Sequence, residues 1–215
     1  MDIHFNNVNN DTIRRNPVIK AIFLGDEDVG KSNLIRIYSG YEFDRLIYPT
    51  ICTDKYDNRI KFEDKDYKII IYDTPGRERF RNMIKYLFRN INIVILVFDM
   101  TRKKSFLKLD NFLELIRENY SDFNKLTFLL IGNKADLSDE WEIKENVAKK
   151  FAEIIKSKFF ISSAKNVPEQ FKMFLDEFFK EYIKVYKPEL ENQPIRPIIH
   201  NLNNRNNRRR RTTCV

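Results

Sequence analysis

The chain has 215 residues with 42% hydrophobic content, enough for one domain with tails and a sizeable core. No apolar run reaches the length that spans a bilayer, and the polar, asparagine-rich residues 1–17 are unlike a secretory signal. The net charge of +8 is uneven: six Arg against two Glu from Pro188 onward leave +4 there, residues 1–17 are balanced, and a basic tail on a near-balanced body suits an acidic surface.

Cys52 and Cys214 are too few for a disulfide scaffold and too far apart for a metal site, so a reducing interior is expected. His4 and His200 sit in polar ends, which argues against histidine catalysis. Three segments are expected: a polar extension over 1–17, a domain over 18–187 and a disordered basic tail over 188–215.

In chain order, the apolar run Val18–Leu24 reads as a strand and Asn33–Tyr38 has helical spacing. Between them lies Gly25-Asp26-Glu27-Asp28-Val29-Gly30-Lys31-Ser32, the G-x-x-x-x-G-K-S spacing of a phosphate-binding loop. Gly25 and Gly30 let the backbone curl so that successive N–H groups face phosphate oxygens. Lys31 brings a point charge to the outer phosphates, Ser32 offers a hydroxyl to Mg²⁺, and the helix start adds its dipole.

Gly40–Pro49 is a polar connection leading to Thr50, a metal-ligand candidate on a loop that a nucleotide could order. Lys55–Phe62 and Lys68–Tyr72 read as strands joined by a turn at residues 63–66. Asp73-Thr74-Pro75-Gly76 stops the second; Asp73 there can face Mg²⁺ opposite Ser32, usually through a water. Ile91–Phe98 and Leu126–Ile131 are nearly continuous apolar runs, the pattern of strands buried on both faces of a parallel sheet. Phe106, Leu109, Phe112, Leu113 and Ile116 repeat at helical spacing, and Val147, Phe151, Ile154 and Ile155 mark another helix. Phe159–Ile161 is the last strand. A final helix is expected from a capping-box-like start at Asn166 and Glu169, with Phe171, Phe174, Leu175, Phe178 and Tyr182 on one face.

This alternation predicts a three-layer α/β fold: a six-stranded, mostly parallel sheet with helices on both faces and one early hairpin. Ligands on such sheets bind at the carboxyl ends of the strands, where the motifs fall. Four of the five glycines (Gly25, Gly30, Gly76 and Gly132) lie in or beside them. Asn133-Lys134-Ala135-Asp136 follows a buried strand; its acid can accept two N–H bonds from guanine, or Asn and Asp can simply cap a helix there. Ser162-Ser163-Ala164-Lys165 ends the last strand, where a backbone N–H could meet the guanine carbonyl.

Together these residues resemble the Ras superfamily of small GTPases, and its Rab branch in particular. The resemblance covers roughly residues 18–187 and includes all five nucleotide motifs in order. Asp73–Phe80, Phe98-Asp99-Met100-Thr101 and Ser105-Phe106 look Rab-like. It implies the P-loop GTPase fold, GTP/GDP and Mg²⁺ as cofactors, and a switch in vesicle traffic. Metal ligation falls to Ser32, Thr50 and Asp73, and the reacting phosphate to Lys31, Thr50 and Arg77. The implied nucleotide set is Asp28, Val29, Gly30, Lys31, Ser32, Asn33, Phe43, Thr50, Gly76, Asn133, Lys134, Asp136, Ser163, Ala164 and Lys165. Phe43 would pack edge-on against the base, or be a core aromatic. Effectors, exchange factors and activating proteins would use the loops near 43–54 and 73–88. The expected location is cytoplasmic, on the cytosolic face of an internal membrane or the plasma membrane.

Three departures stand out. Arg77 replaces the family's water-orienting glutamine; it only donates, so slow hydrolysis is expected. Glu27 and Asp28 replace small neutral residues, and two arrangements suit them: a Glu27–Arg77 salt bridge across the outer phosphate position, or, more ordinarily, two solvated acids. Cys214 is penultimate, which departs from a prenylation box. Even so, one lipid there beside Arg205 and Arg208–Arg211 would suffice for membrane anchoring. Against the switch stand a GTP-bound scaffold that barely turns over, and an adenine-nucleotide enzyme that would leave residues 133–136 without a role. Nucleic-acid binding is not expected, because the tail lacks interleaved aromatics.

Overall fold

A computed structural model of the chain describes residues 16–77, 84–120 and 122–192. Its strands are β1 (Val18–Leu24), β2 (Asp54–Phe62), β3 (Lys65–Asp73), β4 (Ile93–Asp99), β5 (Thr127–Asn133) and β6 (Lys158–Ile161). Its helices are α1 (Lys31–Tyr38), α2 (Lys103–Leu107), α3 (Leu109–Asn119), α4 (Glu145–Ile154) and α5 (Pro168–Glu191). The strands form one six-stranded sheet in the order β2-β3-β1-β4-β5-β6, parallel throughout except for the β2–β3 hairpin. This is the predicted mostly parallel α/β sheet, with the hairpin at one edge.

The two faces of the sheet carry separate cores. On one, Ile19, Phe23, Ile69 and Ile95 pack against Leu34 and Ile35 of α1 and Phe171, Leu175 and Phe179 of α5. On the other, Ile22, Val94, Leu96 and Phe98 meet Phe106 of α2, Leu109, Phe112 and Ile116 of α3, and Ala148 and Ala152 of α4. Every residue of β4 is buried, which explains why its sequence shows no alternation. The strand order reverses beside β1, so the crevice outside the carboxyl ends of β1, β3 and β4 is where a ligand fits.

Some local expectations shift. The α4 helix forms, but Val147 and Ile154 face solvent, Ile154 at 78% exposure, while Ala148 and Ala152 bury. Two small residues let that helix lie close to the sheet, with Phe151 and Ile155 packing at its flank. The α5 helix starts at Pro168 rather than Asn166 and has no side-chain cap. Ser163 instead holds the turn just before the helix: its hydroxyl accepts from Asn166 N at 3.0 Å, and its carbonyl from Val167 N at 3.2 Å.

Residues 188–191, assigned from sequence to the tail, continue α5. A non-helical Tyr186 breaks the ladder just before Pro188, which therefore disrupts no regular turn. Leu190 is buried, Tyr67 Oη donates to Glu191 at 2.9 Å, Lys65 pairs with Glu191 at 3.2 Å, and Lys187 pairs with Glu63. The helix end is thereby fastened to the β2–β3 turn.

Phe98 is fully buried, with its ring centroid 4.9 Å from Phe106. Phe98→Ala is expected to cost about 3–5 kcal/mol, read as a lower urea midpoint. Ile154→Ala should change stability by only about 0.5 kcal/mol.

Candidate functional site

The loop after β1 is shaped by close packing. A Cβ on Gly25 would lie 2.1 Å from the Val97 carbonyl oxygen, and one on Gly30 would lie 2.2 Å from Asn133 Nδ2. Gly30 is also left-handed, at φ 90°. A loop that turns its N–H groups inward points its carbonyls outward, where side-chain donors meet them. Lys31 Nζ donates to Gly25 O at 2.9 Å and to Asp26 O at 2.8 Å. Asn133 Nδ2 donates to Val29 O at 2.8 Å, and Arg102 Nη2 donates to Glu27 O. Lys31 is buried, and that burial lowers its pKa to about 8 despite the pull of Asp73 and Asp26.

Beside Lys31, three oxygen-bearing side chains converge. Ser32 Oγ and Thr50 Oγ1 are 3.0 Å apart, and Thr50 Oγ1 donates to Asp73 Oδ2 at 3.4 Å. Asp73 Oδ1 is buried with no hydrogen-bond partner among the described residues. Burial raises the Asp73 pKa to about 6, with Ser32 and Lys31 opposing. An all-oxygen set with an orphaned buried carboxylate oxygen fits a hard divalent cation. The adjoining cavity, about 500 Å³, is lined by Lys31, Ser32, Thr50, Gly76, Arg77 and Arg102 among others. Gly76 presses on the loop: a Cβ there would lie 2.3 Å from Glu27 N.

The unusual acids are paired. Arg77 Nε meets Glu27 Oε2 at 2.6 Å, with the two side chains 47% and 49% exposed. The salt bridge therefore forms, between two half-exposed side chains. Asp28 is 83% exposed, at φ 61°, with Lys134 Nζ at 3.5 Å; Lys134 also pairs with Asp99 at 2.9 Å. The Asp26 carboxylate is 6% exposed and meets Lys108 at 2.9 Å and Arg102 at 3.7 Å. Each of three consecutive acids thus has a cation from a different part of the chain.

At the base end, the loops after β5 and β6 are tied together. Asn133 Oδ1 accepts from Ala164 N at 3.3 Å, Ser163 Oγ donates to Asp136, and Ala135 N bonds Ser162 O at 3.0 Å. Asn133 is therefore shared by three motifs; Lys165 is exposed at the rim. Phe43 stands apart: its ring is 39% exposed, neither core nor in the cavity lining. Asn33 turns toward that loop, bonding the Asp44 backbone at 2.9 and 3.0 Å. Asp26, Arg102 and Lys108 were not expected from sequence; Arg102 and Lys108 sit in a charged helix start that reads as a solvated face. Residues 78–83, within the 73–88 partner loop, and the arginine tail with Cys214 lie outside the described residues.

A profile described as the Ras family matches residues 20–184. The Ras-related protein RABG3f of Arabidopsis thaliana is 38% identical over 128 residues, 59% of this chain and 62% of that protein. Mouse Ras-related protein Rab-22A is 32% identical over 158 residues, 74% of this chain and 80% of that protein. Ras-related protein Rab7 of Pisum sativum is 37% identical over 126 residues, 58% and 61% of the two chains. The matched residues enclose the loop after β1, the metal-fitting trio and the loops after β5 and β6, and the chain belongs to the Ras superfamily of small GTPases, on its Rab-like branch.

Proposed function

We propose that the chain binds guanine nucleotide with Mg²⁺ and acts as a GTP/GDP switch in vesicle traffic, converting GTP and water to GDP and phosphate slowly. The observation that carries this is the convergence of Ser32, Thr50 and Asp73, with its orphaned oxygen, beside buried Lys31. Ser32, Thr50 and Asp73 are the residues that would hold Mg²⁺, which neutralises phosphate charge when bound. Lys31 would meet the outer phosphates, and the loops after β5 and β6 would read guanine through Asp136 and the Ala164 amide.

By the Rab resemblance, the switch would act in membrane traffic on the cytosolic face of an internal or plasma membrane. Regulators and effectors would meet residues 43–54 and 73–88, where Tyr48 and Ile51 are exposed. The basic tail, with or without a lipid on Cys214, would face the acidic membrane. No helix among the described residues is long and apolar enough to cross a membrane.

Slow turnover follows from Arg77. A water attacking the outer phosphate must give up a proton, and a guanidinium tied to Glu27 offers it no acceptor. As a half-exposed pair, the Glu27–Arg77 bridge contributes about 1 kcal/mol or less to stability, so its weight is chemical. The same pair favours a second reading, a scaffold that stays GTP-bound.

Denaturing the purified protein should release GDP or GTP stoichiometrically; adenine nucleotide, or none, would overturn the proposal. In single-turnover assays, Arg77→Gln should hydrolyse GTP about tenfold faster or more. Equal rates in wild type, Arg77→Gln and Glu27→Ser would remove the pair from the mechanism, and GTP retained without turnover would favour the scaffold. The pH dependence has a definite sign. With its pKa raised to about 6, Asp73 holds a proton that metal must displace. Mg²⁺ affinity should therefore fall about tenfold per pH unit below 6, measured by Mg²⁺ titration of nucleotide retention. The metal-free fold runs the other way: its extra proton stabilises it in acid and is lost as pH rises through about 6.

A further inference from the structure

We propose that Arg102 and Lys108, on a segment that carries no nucleotide motif, hold the phosphate loop in its binding shape and so set how long a nucleotide stays bound. The inference rests on the guanine-nucleotide reading and deepens it: the two are positioning residues, acting through Asp26 and Glu27.

The first observation concerns the loop's outward carbonyls. Lys31 meets Gly25 O and Asp26 O, and Asn133 meets Val29 O. Both belong to nucleotide motifs. Glu27 O is met by Arg102, which stands at the N-cap of α2. Among the described residues, Arg102 does for Glu27 what Asn133 does for Val29. Without it, the peptide between Glu27 and Asp28 loses its outer anchor just where both residues depart from the small side chains of the family.

The second observation is Asp26. Its carboxylate is almost fully enclosed and lies in the same six-residue turn as Glu27 and Asp28. Three acids at a triphosphate site are opposed to the ligand unless each is compensated. Lys108 at 2.9 Å and Arg102 at 3.7 Å compensate the Asp26 carboxylate, while Lys31 bonds the loop's carbonyls. Lys108 is one residue beyond α2, so the short helix places both cations on one acid across 76 and 82 residues of sequence. Among the described residues, Arg102 Nε is buried without an acceptor, and Glu27 O and Asp26 are the contacts shown for this guanidinium.

The test measures release of a fluorescent GDP from the full chain in saturating Mg²⁺. It compares wild type with Arg102→Gln, Lys108→Gln, Arg102→Lys and the exposed control Lys104→Gln. Circular dichroism and melting in excess GDP follow the fold. Arg102→Gln and Lys108→Gln should each release GDP about tenfold faster or more, while Arg102→Lys stays within about threefold of wild type and Lys104→Gln is unchanged. Release at the wild-type rate from folded Arg102→Gln or Lys108→Gln overturns the proposal, as does a lower melting temperature with no change in release. If Arg102→Gln fails to fold, Lys108→Gln decides alone. A wild-type chain that takes up no labelled GDP overturns the guanine reading and this inference with it, whereas normal uptake with unaltered variants overturns only the inference.

Discussion

The site depends on what happens behind the phosphate loop. A loop whose N–H groups all turn to one side must turn its carbonyls to the other, and buried carbonyls need donors. Here the donors are long side chains from scattered places: Lys31 from the loop's own helix, Asn133 from the end of β5, and Arg102 from the start of α2. Their contacts bring the ends of β1, β4 and β5 to a common centre. Gly25 against Val97 and Gly30 against Asn133 follow from the same closeness, since any side chain there would push a donor or strand away.

That arrangement lets the loop carry three acids. The residues whose charge would oppose a phosphate ligand are answered by Lys108 and Arg102, Arg77, and Lys134. These partners are not equivalent. The pair at Asp26 is enclosed, so its loss would strand a charge in a poorly hydrated place. The pairs at Glu27 and Asp28 stand in water, where the net gain is small and geometry matters more than energy. Arg77 lines the cavity while paired with Glu27, and Lys134 lies between Asp28 and Asp99, so both cations are already engaged.

Much of this could be read from the chain before any coordinates. The spacing from Gly25 to Ser32 dictates a strand, a turn and a helix, and the apolar runs in β4 and β5 dictate a sheet covered on both faces. Ser32, Thr50 and Asp73 do meet, because each terminates or follows an element that the pattern located. Packing direction was less legible. In α4 the larger residues marked the helix, yet its buried positions are Ala148 and Ala152, with Phe151 and Ile155 only partly buried beside them. The start of α5 misled as well: Ser163, three residues upstream of Asn166, draws Asn166 into the turn before the helix. Ion pairing was the least legible, since charge in a sequence carries no address; Arg102 and Lys108 gave no signal beyond the ordinary polarity of a helix start.

The fastening of α5 to the β2–β3 turn has a mechanical corollary. Glu191 grips Tyr67 and Lys65 at the near end of β3, and the far end of that strand is Asp73. A pull exerted on the chain beyond residue 192 would enter the sheet along the strand that terminates in the Asp73 carboxylate. Tension at the exit corner would therefore be borne by a strand hydrogen-bonded to a neighbour on each side.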